Sequence, residues 1–150
     1  MPFQIVPMAS EQDMDGKAYV HWKAWQEAYA GLVDSAFLAN HTLEKCQAMA
    51  RRWPDNILLA KTDEGRVIGF VGYGKNRDND LADSGEIFAI YVLRDYYDKK
   101  AGYALMEAGM EKLMDYPRVA VWVLADNARA IRFYERYGFV RDGASKAITL

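Results

Sequence analysis

Between a strand-like run and a helix-like run, residues Tyr96 to Met106 read YYDKKAGYALM. A strand that turns within a few residues into a helix points several unpaired backbone N–H groups, and the positive end of the helix dipole, at one spot. Such a spot suits an anion, and Lys99 and Lys100 add charge beside it. The same residues also suit an ordinary strand-to-helix turn carrying two solvated lysines, so spacing alone leaves both readings open. Two glycine-rich phosphate patterns, G-x-G-x-x-G and G-x-x-x-x-G-K-[ST], are absent.

A second stretch, VWVLADNARAIRFYERYGF from Val121 to Phe139, places Asp126 and Asn127 at the cap of a helix. Ala130, Phe133, Tyr134 and Tyr137 then share one helical face. The pattern N-x-x-A-x-x-F-Y-x-x-x-G-F, met without a gap at Asn127, Ala130, Phe133, Tyr134, Gly138 and Phe139, resembles the second signature block of GNAT-type N-acetyltransferases. The first block of that family, a strand ending in Y-V followed by Q/R-x-x-G-x-G/A, is similar at Tyr91, Val92, Gly102, Ala104 and Leu105. Two positions depart from it. Tyr97 stands where the family has Gln or Arg, and Lys100 where it has its first Gly. A β-carbon at Lys100 either crowds a pyrophosphate or forces the backbone to relax, while its ammonium offers a phosphate contact of its own. The resemblance runs from Phe3 to about Leu150 and is specific over Glu86 to Phe139.

The resemblance implies an N-acetyltransferase that moves the acetyl group of acetyl-CoA to a primary amine by direct attack in a ternary complex. Backbone amides of Lys99, Lys100, Ala101, Gly102, Tyr103 and Ala104 would then meet the pyrophosphate of coenzyme A. The strand end at Tyr91 and Val92 would pair with the pantetheine, and Asn127 would reach the cofactor as well as cap its helix. An amine with a pKa of about 10.4 must lose a proton before attack. Glu86, eleven residues before Tyr97, has the spacing of the base in the histone-acetyltransferase branch. Its other reading is the solvated end of an acidic loop with Asp78, Asp80 and Asp83. A backbone N–H near Val92 or Leu93 would meet the carbonyl oxygen as it gains charge. Tyr134 would protonate the departing thiolate, or else be a core aromatic. Trp25 and Tyr29, a W-x-x-x-Y pair, would border the acceptor or simply fill a helix core face. Tyr97, Lys100 and the short C-terminus also motivate the alternative of a CoA-binding or regulatory module of the same fold that has lost turnover. A binding protein for another phosphate ligand is a further alternative.

The elements that must position these residues are legible in outline. Phe3 to Met8 suits a short strand, and Ser10 with Asp13 opens a helix with apolar positions Met14, Ala18, Trp22, Trp25 and Tyr29, stopped at Gly31. Thr42 caps a second helix that ends near Trp53, before Pro54. Ile57 to Lys61 and Val67 to Tyr73 read as strands joined by Asp63, Glu64 and Gly65. Asn76 to Ser84 is a polar, acidic loop, and its stretch from Asp78 to Asp83 favours a cationic acceptor. Glu86 to Leu93 reads as a strand covered on both faces, Ala101 to about Asp115 as a helix, and Arg118 to Leu124 as another buried strand. Asn127 to Tyr137 is a short helix, after which Phe139 begins a last strand-like segment. The order β-α-α-β-β-β-α-β-α-β describes an α/β chain, a single domain over residues 1–150. The resemblance makes its sheet mixed, mostly antiparallel and twisted, flanked by helices, with the last strand of the family missing. An edge left open there would invite a homodimer.

Composition narrows the partners. With 150 residues, 51% hydrophobic and 27% charged, the chain suits a folded globular protein. A net charge of −2 and a pI near 5.7 give no basic field for nucleic acid or anionic membrane. No apolar run is long enough to span a membrane, and the start lacks a signal-peptide layout, so the expectation is cytoplasmic. Cys46 has no internal disulfide partner and reads as a small apolar filler. His21 and His41 show no metal-ligand spacing and read as surface or capping residues, so no metal is expected.

Overall fold

The structure, a computed structural model, describes residues 2–76 and 83–141, with the backbone alone at Asp98. The described chain order is β1 (Phe3–Pro7), α1 (Glu11–Tyr29), α2 (Ser35–Asn40), α3 (Leu43–Arg52), β2 (Ile57–Thr62), β3 (Val67–Lys75) and β4 (Gly85–Val92). A 3-10 turn (Arg94–Lys99), α4 (Ala101–Lys112), β5 (Val119–Val121) and α5 (Ala128–Tyr137) follow. The strands form one sheet in the order β1-β2-β3-β4-β5, antiparallel throughout except for the parallel pair β4 and β5. This is the mixed, mostly antiparallel α/β architecture expected.

Local chemistry sets the element ends. The Ser10 hydroxyl accepts from the Asp13 N–H at 3.0 Å while the Asp13 carboxylate accepts from the N–H groups of Ala9 and Ser10, closing a capping box at the start of α1. The other Asp13 oxygen pairs with Lys61 Nζ at 2.5 Å, which ties this helix start to β2. Gly31, at φ 83°, lets the chain turn away after α1. Alternate strand residues then serve two layers. Leu58, Ile68, Val71 and Ile87 pack with Leu105 and Met106 of α4, whereas Leu59, Phe70 and Leu93 pack with Val20 and Ala24 of α1.

Several expectations are corrected. A short helix, α2, stands between the two helices read from the sequence; six residues are too few for periodicity to show. It is held by Asp34 accepting from the Ala36 N–H at 2.8 Å and by the Gln26 side chain donating to the Leu38 carbonyl at 3.1 Å. β4 is not covered on both faces along its length. Gly85, Glu86 and Ile87 are buried, but Phe88 is exposed and Ala89 to Val92 are half-buried. β5 is three half-buried residues rather than a buried strand from Arg118 to Leu124, so it cannot cover the far half of β4. No strand begins at Phe139 within the described residues, and the expected segment beyond Arg141 lies outside them. Asp78 and Asp80 of the acidic loop lie outside them too, while Asp83 pairs with Arg118 at 2.6 Å. No described helix is long and apolar enough to cross a membrane.

Candidate active site

The site begins where β4 and β5 part. Their pairing covers only Gly85, Glu86 and Ile87 against Val119, Ala120 and Val121. At the next residue β4 bulges: Gly72 faces Ala89 and Tyr73 faces Ile87, leaving Phe88 as the extra residue. Further along, the Leu93 N–H donates to the Ile68 carbonyl at 2.9 Å, with Gly69 opposite Val92. The alternation of an antiparallel ladder therefore turns the backbone groups of Tyr91 and Leu93 toward β3, and those of Ile90 and Val92 away from it, into the gap. Of the two N–H groups expected to meet a carbonyl oxygen, Leu93 is committed to the sheet and Val92 faces the opening. Tyr91 offers its side chain rather than its backbone.

The 3-10 turn leads from this opening to α4. Lys100 lies between them in the left-handed region, at φ 62° and ψ 18°. A glycine is the usual residue for this conformation, so the backbone keeps the glycine-like shape and the lysine bears the strain. The Ala104 N–H already bonds the Lys100 carbonyl at 3.1 Å, which removes Ala104 from the expected set of anion-facing amides. The amides of Ala101, Gly102 and Tyr103 precede that ladder and are the helix-start donors. Lys99 and Lys100 are exposed beside them.

Across the opening, the Asn127 side chain caps α5 by accepting from the Ala130 N–H at 3.1 Å and is 9% exposed. Arg129, in the first turn of α5, lays its guanidinium over the Tyr97 ring at 4.0 Å. These residues, with Glu27, Leu32 and Arg94, line a cleft of about 480 Å³ between the end of α1, the 3-10 turn and the start of α5. Arg94 is clasped to α1: its backbone N–H donates to the Glu27 carboxylate at 3.0 Å, and its guanidinium donates to the Glu27 carbonyl. Sequence reading missed Arg94, Arg129 and Glu27. Arg129 did carry a signal, since a cation in the first turn opposes the helix dipole and wants another reason to be there.

Aromatic side chains close the inner wall. The hydroxyls of Tyr29 and Tyr91 are 3.2 Å apart, and Trp25 stands edge-on to Tyr29 with ring centroids 4.8 Å apart. Burial, and then the neighbouring Tyr29, hold the Tyr91 phenol well above its ordinary range. Burial, followed by Tyr29, also pushes the Tyr134 phenol up. Its ring packs on Phe133 and Phe139, with centroids 5.6 and 5.9 Å away. The fold thus brings Tyr29, Tyr91 and Tyr134 together from α1, β4 and α5, with Trp25 beside them. Glu86 is 2% exposed, which overturns its reading as a solvated loop end. The pleat places it on the face opposite Ile87, toward the α1 layer, at the paired base of β4.

His21 is likewise not a surface residue. It is buried, with ring centroids 5.8 Å from Phe70 and 6.1 Å from Tyr91. His41 does end α2, its N–H donating to the Leu38 carbonyl at 3.2 Å.

A model of the acetyltransferase (GNAT) family matches residues 18–139. The chain is 28% identical over 132 residues to the uncharacterised N-acetyltransferase YuaI of Bacillus subtilis, covering 86% of this chain and 76% of that protein. It is 34% identical over 91 residues to a mycothiol acetyltransferase of Acidimicrobium ferrooxidans, a match to 59% of this chain and only 29% of that relative. Among solved structures, the PaiA N-acetyltransferase of Thermoplasma acidophilum, in complex with coenzyme A, shares the fold at a TM-score of 0.77 and 21% identity, over 97% of this chain and 94% of that one.

Proposed function

The chain belongs to the acetyltransferase (GNAT) family, and from that premise we propose that it transfers the acetyl group of acetyl-CoA to a primary amine by direct attack in a ternary complex. The parting of β4 from β5 after Ile87 carries this reading, because it opens backbone donors at Ile90 and Val92 beside the start of α4. The residues present fit coenzyme A. A pyrophosphate spreads its charge over several oxygens, which suits the amides of Ala101, Gly102 and Tyr103 with the ammoniums of Lys99 and Lys100. Arg129, stacked on Tyr97, adds a guanidinium on the other bank of the cleft, next to Asn127. The backbone at Ile90 and Val92 extends the sheet toward the amide-bearing pantetheine arm.

The acceptor enters from the α1 and α2 side, against Trp25 and Tyr29, with the Glu27 carboxylate at the cleft to attract an ammonium. Glu86 accepts the proton of the amine. The nitrogen lone pair then forms the bond to the thioester carbonyl carbon, and the Val92 N–H donates to the carbonyl oxygen as charge builds there. As the carbon–sulfur bond breaks, the Tyr134 hydroxyl donates its proton to sulfur, and the phenolate left behind takes the second proton from the nitrogen, so the amide leaves neutral and Tyr134 is restored. Burial raises the Tyr134 pKa, which keeps the hydroxyl protonated and also makes it the weaker acid toward the thiolate, so the transfer goes with carbon–sulfur cleavage rather than ahead of it.

A second reading, a CoA-binding module without turnover, is favoured by the strained Lys100 and by Tyr97, whose ring is covered by Arg129. Calorimetry with acetyl-CoA, followed by thiol release across an amine panel, separates the two. Transfer requires both binding and amine-dependent release; binding with no release on any amine supports the second reading, and no heat overturns both.

A further inference from the structure

Three side chains outside the cleft meet where α1, the end of α2 and the start of α3 pack. One imidazole nitrogen each of His21 and His41 and the Sγ of Cys46 all lie within 4.8 Å of one another. His41 Nε2 is 3.5 Å from Cys46 Sγ. Cys46 is fully buried, and His21, 8% exposed, keeps a buried Nδ1 with no hydrogen-bond partner. An orphaned buried nitrogen costs free energy that a bound partner would recover.

We propose that His21, His41 and Cys46 form a binding site for a thiophilic d10 cation, Zn(II) or Cu(I), which clips α1, α2 and α3 together behind the aromatic wall. Two imidazoles and a thiolate, with no carboxylate in the cluster, are the donors such ions prefer, and Mg(II) or Ca(II) would want oxygens. Zinc bonds of about 2.0–2.1 Å to nitrogen and 2.3 Å to sulfur put neighbouring ligand atoms roughly 3.3–3.8 Å apart. The Cys46–His41 pair already has that spacing, and the remaining separations close by about 1 Å on side-chain rotation. A cavity of about 180 Å³ lined by Phe37, Asn40, His41, Lys45, Cys46 and Met49 gives an ion a way in, past the Lys45 side chain, and leaves room for a water ligand.

On binding, the Cys46 S–H proton leaves to solvent and the sulfur lone pair forms the metal bond. Without metal, burial pushes the Cys46 thiol up to about 11, and burial, then Lys17 and His41, push His21 down to about 3, so the ligands sit as S–H and neutral imidazole. Lys17 also faces the cluster, and Lys45 acts on His41. Both oppose added positive charge. Because the His41 ring stacks on Trp25 with centroids 4.3 Å apart, the clip would fix the tryptophan beside Tyr29.

The metal-free full chain is titrated with Zn(II) against a chromophoric chelator and, anaerobically, with Cu(I) against a Cu(I) chelator. One equivalent of either ion should bind, and Cys46→Ala and His41→Gln should each weaken it by at least about 100-fold. Co(II) bound to the unmodified chain should show a near-ultraviolet thiolate charge-transfer band, a readout independent of how the variants fold. No stoichiometric binding of either ion, unchanged affinity in folded Cys46→Ala, or bound Co(II) without that band would overturn the proposal.

Discussion

Replacing Lys100 separates what its backbone costs from what its charge contributes. At φ 62° a residue with a β-carbon bears about 1–2 kcal/mol relative to a right-handed conformation. Lys100→Gly removes that strain but adds about 0.5–1 kcal/mol of unfolded-chain entropy, for a net gain of roughly 0.5–1 kcal/mol. Lys100→Ala keeps the β-carbon, and with it the strain. In a chain of 150 residues the glycine variant should therefore melt about 1–4 °C above the alanine variant. Both variants lose an exposed ammonium beside the amides of Ala101 to Tyr103. An exposed ion pair is worth about 0.2–1 kcal/mol, so acetyl-CoA affinity should fall by up to about fivefold. That loss should shrink as salt rises from about 0.01 to 0.15 M, over which the screening length drops from about 30 to 8 Å. Thermal melts and calorimetry at two ionic strengths read both effects. A glycine variant no more stable than the alanine variant would refute the strain argument, and affinity unchanged at low salt would make Lys100 a bystander.

Tyr134→Phe keeps the ring on Phe133 and Phe139 and removes the hydroxyl proposed to protonate the thiolate, so turnover should fall roughly tenfold to a few hundredfold at near-parental melting temperature and acetyl-CoA affinity. Because burial raises the Tyr134 pKa, its acid form persists on the alkaline side, and the wild-type rate should show no loss from this group below about pH 10. Glu86→Gln should lower kcat/KM about 10²- to 10⁴-fold at neutral pH, with partial recovery at high pH where the amine sheds its own proton; a pH-independent deficit would contradict the base role. Gly69→Ala places a β-carbon 2.9 Å from the Tyr91 carbonyl oxygen and 3.0 Å from Leu105 Cδ1. It should cost about 1–3 kcal/mol in a denaturant titration, and a neutral result would mean β3 and β4 separate more freely than this packing implies.

What was legible in the sequence was local. The cap at Asn127, the face holding Phe133 and Tyr134, and the stop at Gly138 all lie within a few residues of one another, and α5 follows them. The capping box at Ser10 and the turn at Gly65 are of the same kind. The cleft was less legible because its shape depends on partners distant in sequence. The β4–β5 pairing stops at Ile87, just before the bulge at Phe88, and the apolar run from Ile87 to Leu93 looks the same whether or not a neighbour covers it. That the Leu93 N–H is spent on Ile68 follows from ladder parity, which composition does not carry. His21 reads as polar in a helix pattern, yet α1 rotates it against Phe70 and Tyr91 of the sheet. Arg129 comes within 4.0 Å of Tyr97 only because α5 and the 3-10 turn face each other across the gap.

Direct attack by the amine carries the acyl group to nitrogen without an acyl-enzyme, and this is what the proposed function most needs tested. Acetyl-CoA carrying an isotopically labelled acetyl group is incubated with the protein and an amine panel, and both products and protein are weighed by mass spectrometry. Label is expected on the nitrogen of at least one amine, with one free CoA for each labelled amine and an unlabelled protein throughout. Label held on the protein, CoA released at a rate indifferent to the amine, or acetyl-CoA bound and returned intact with every amine would contradict direct attack.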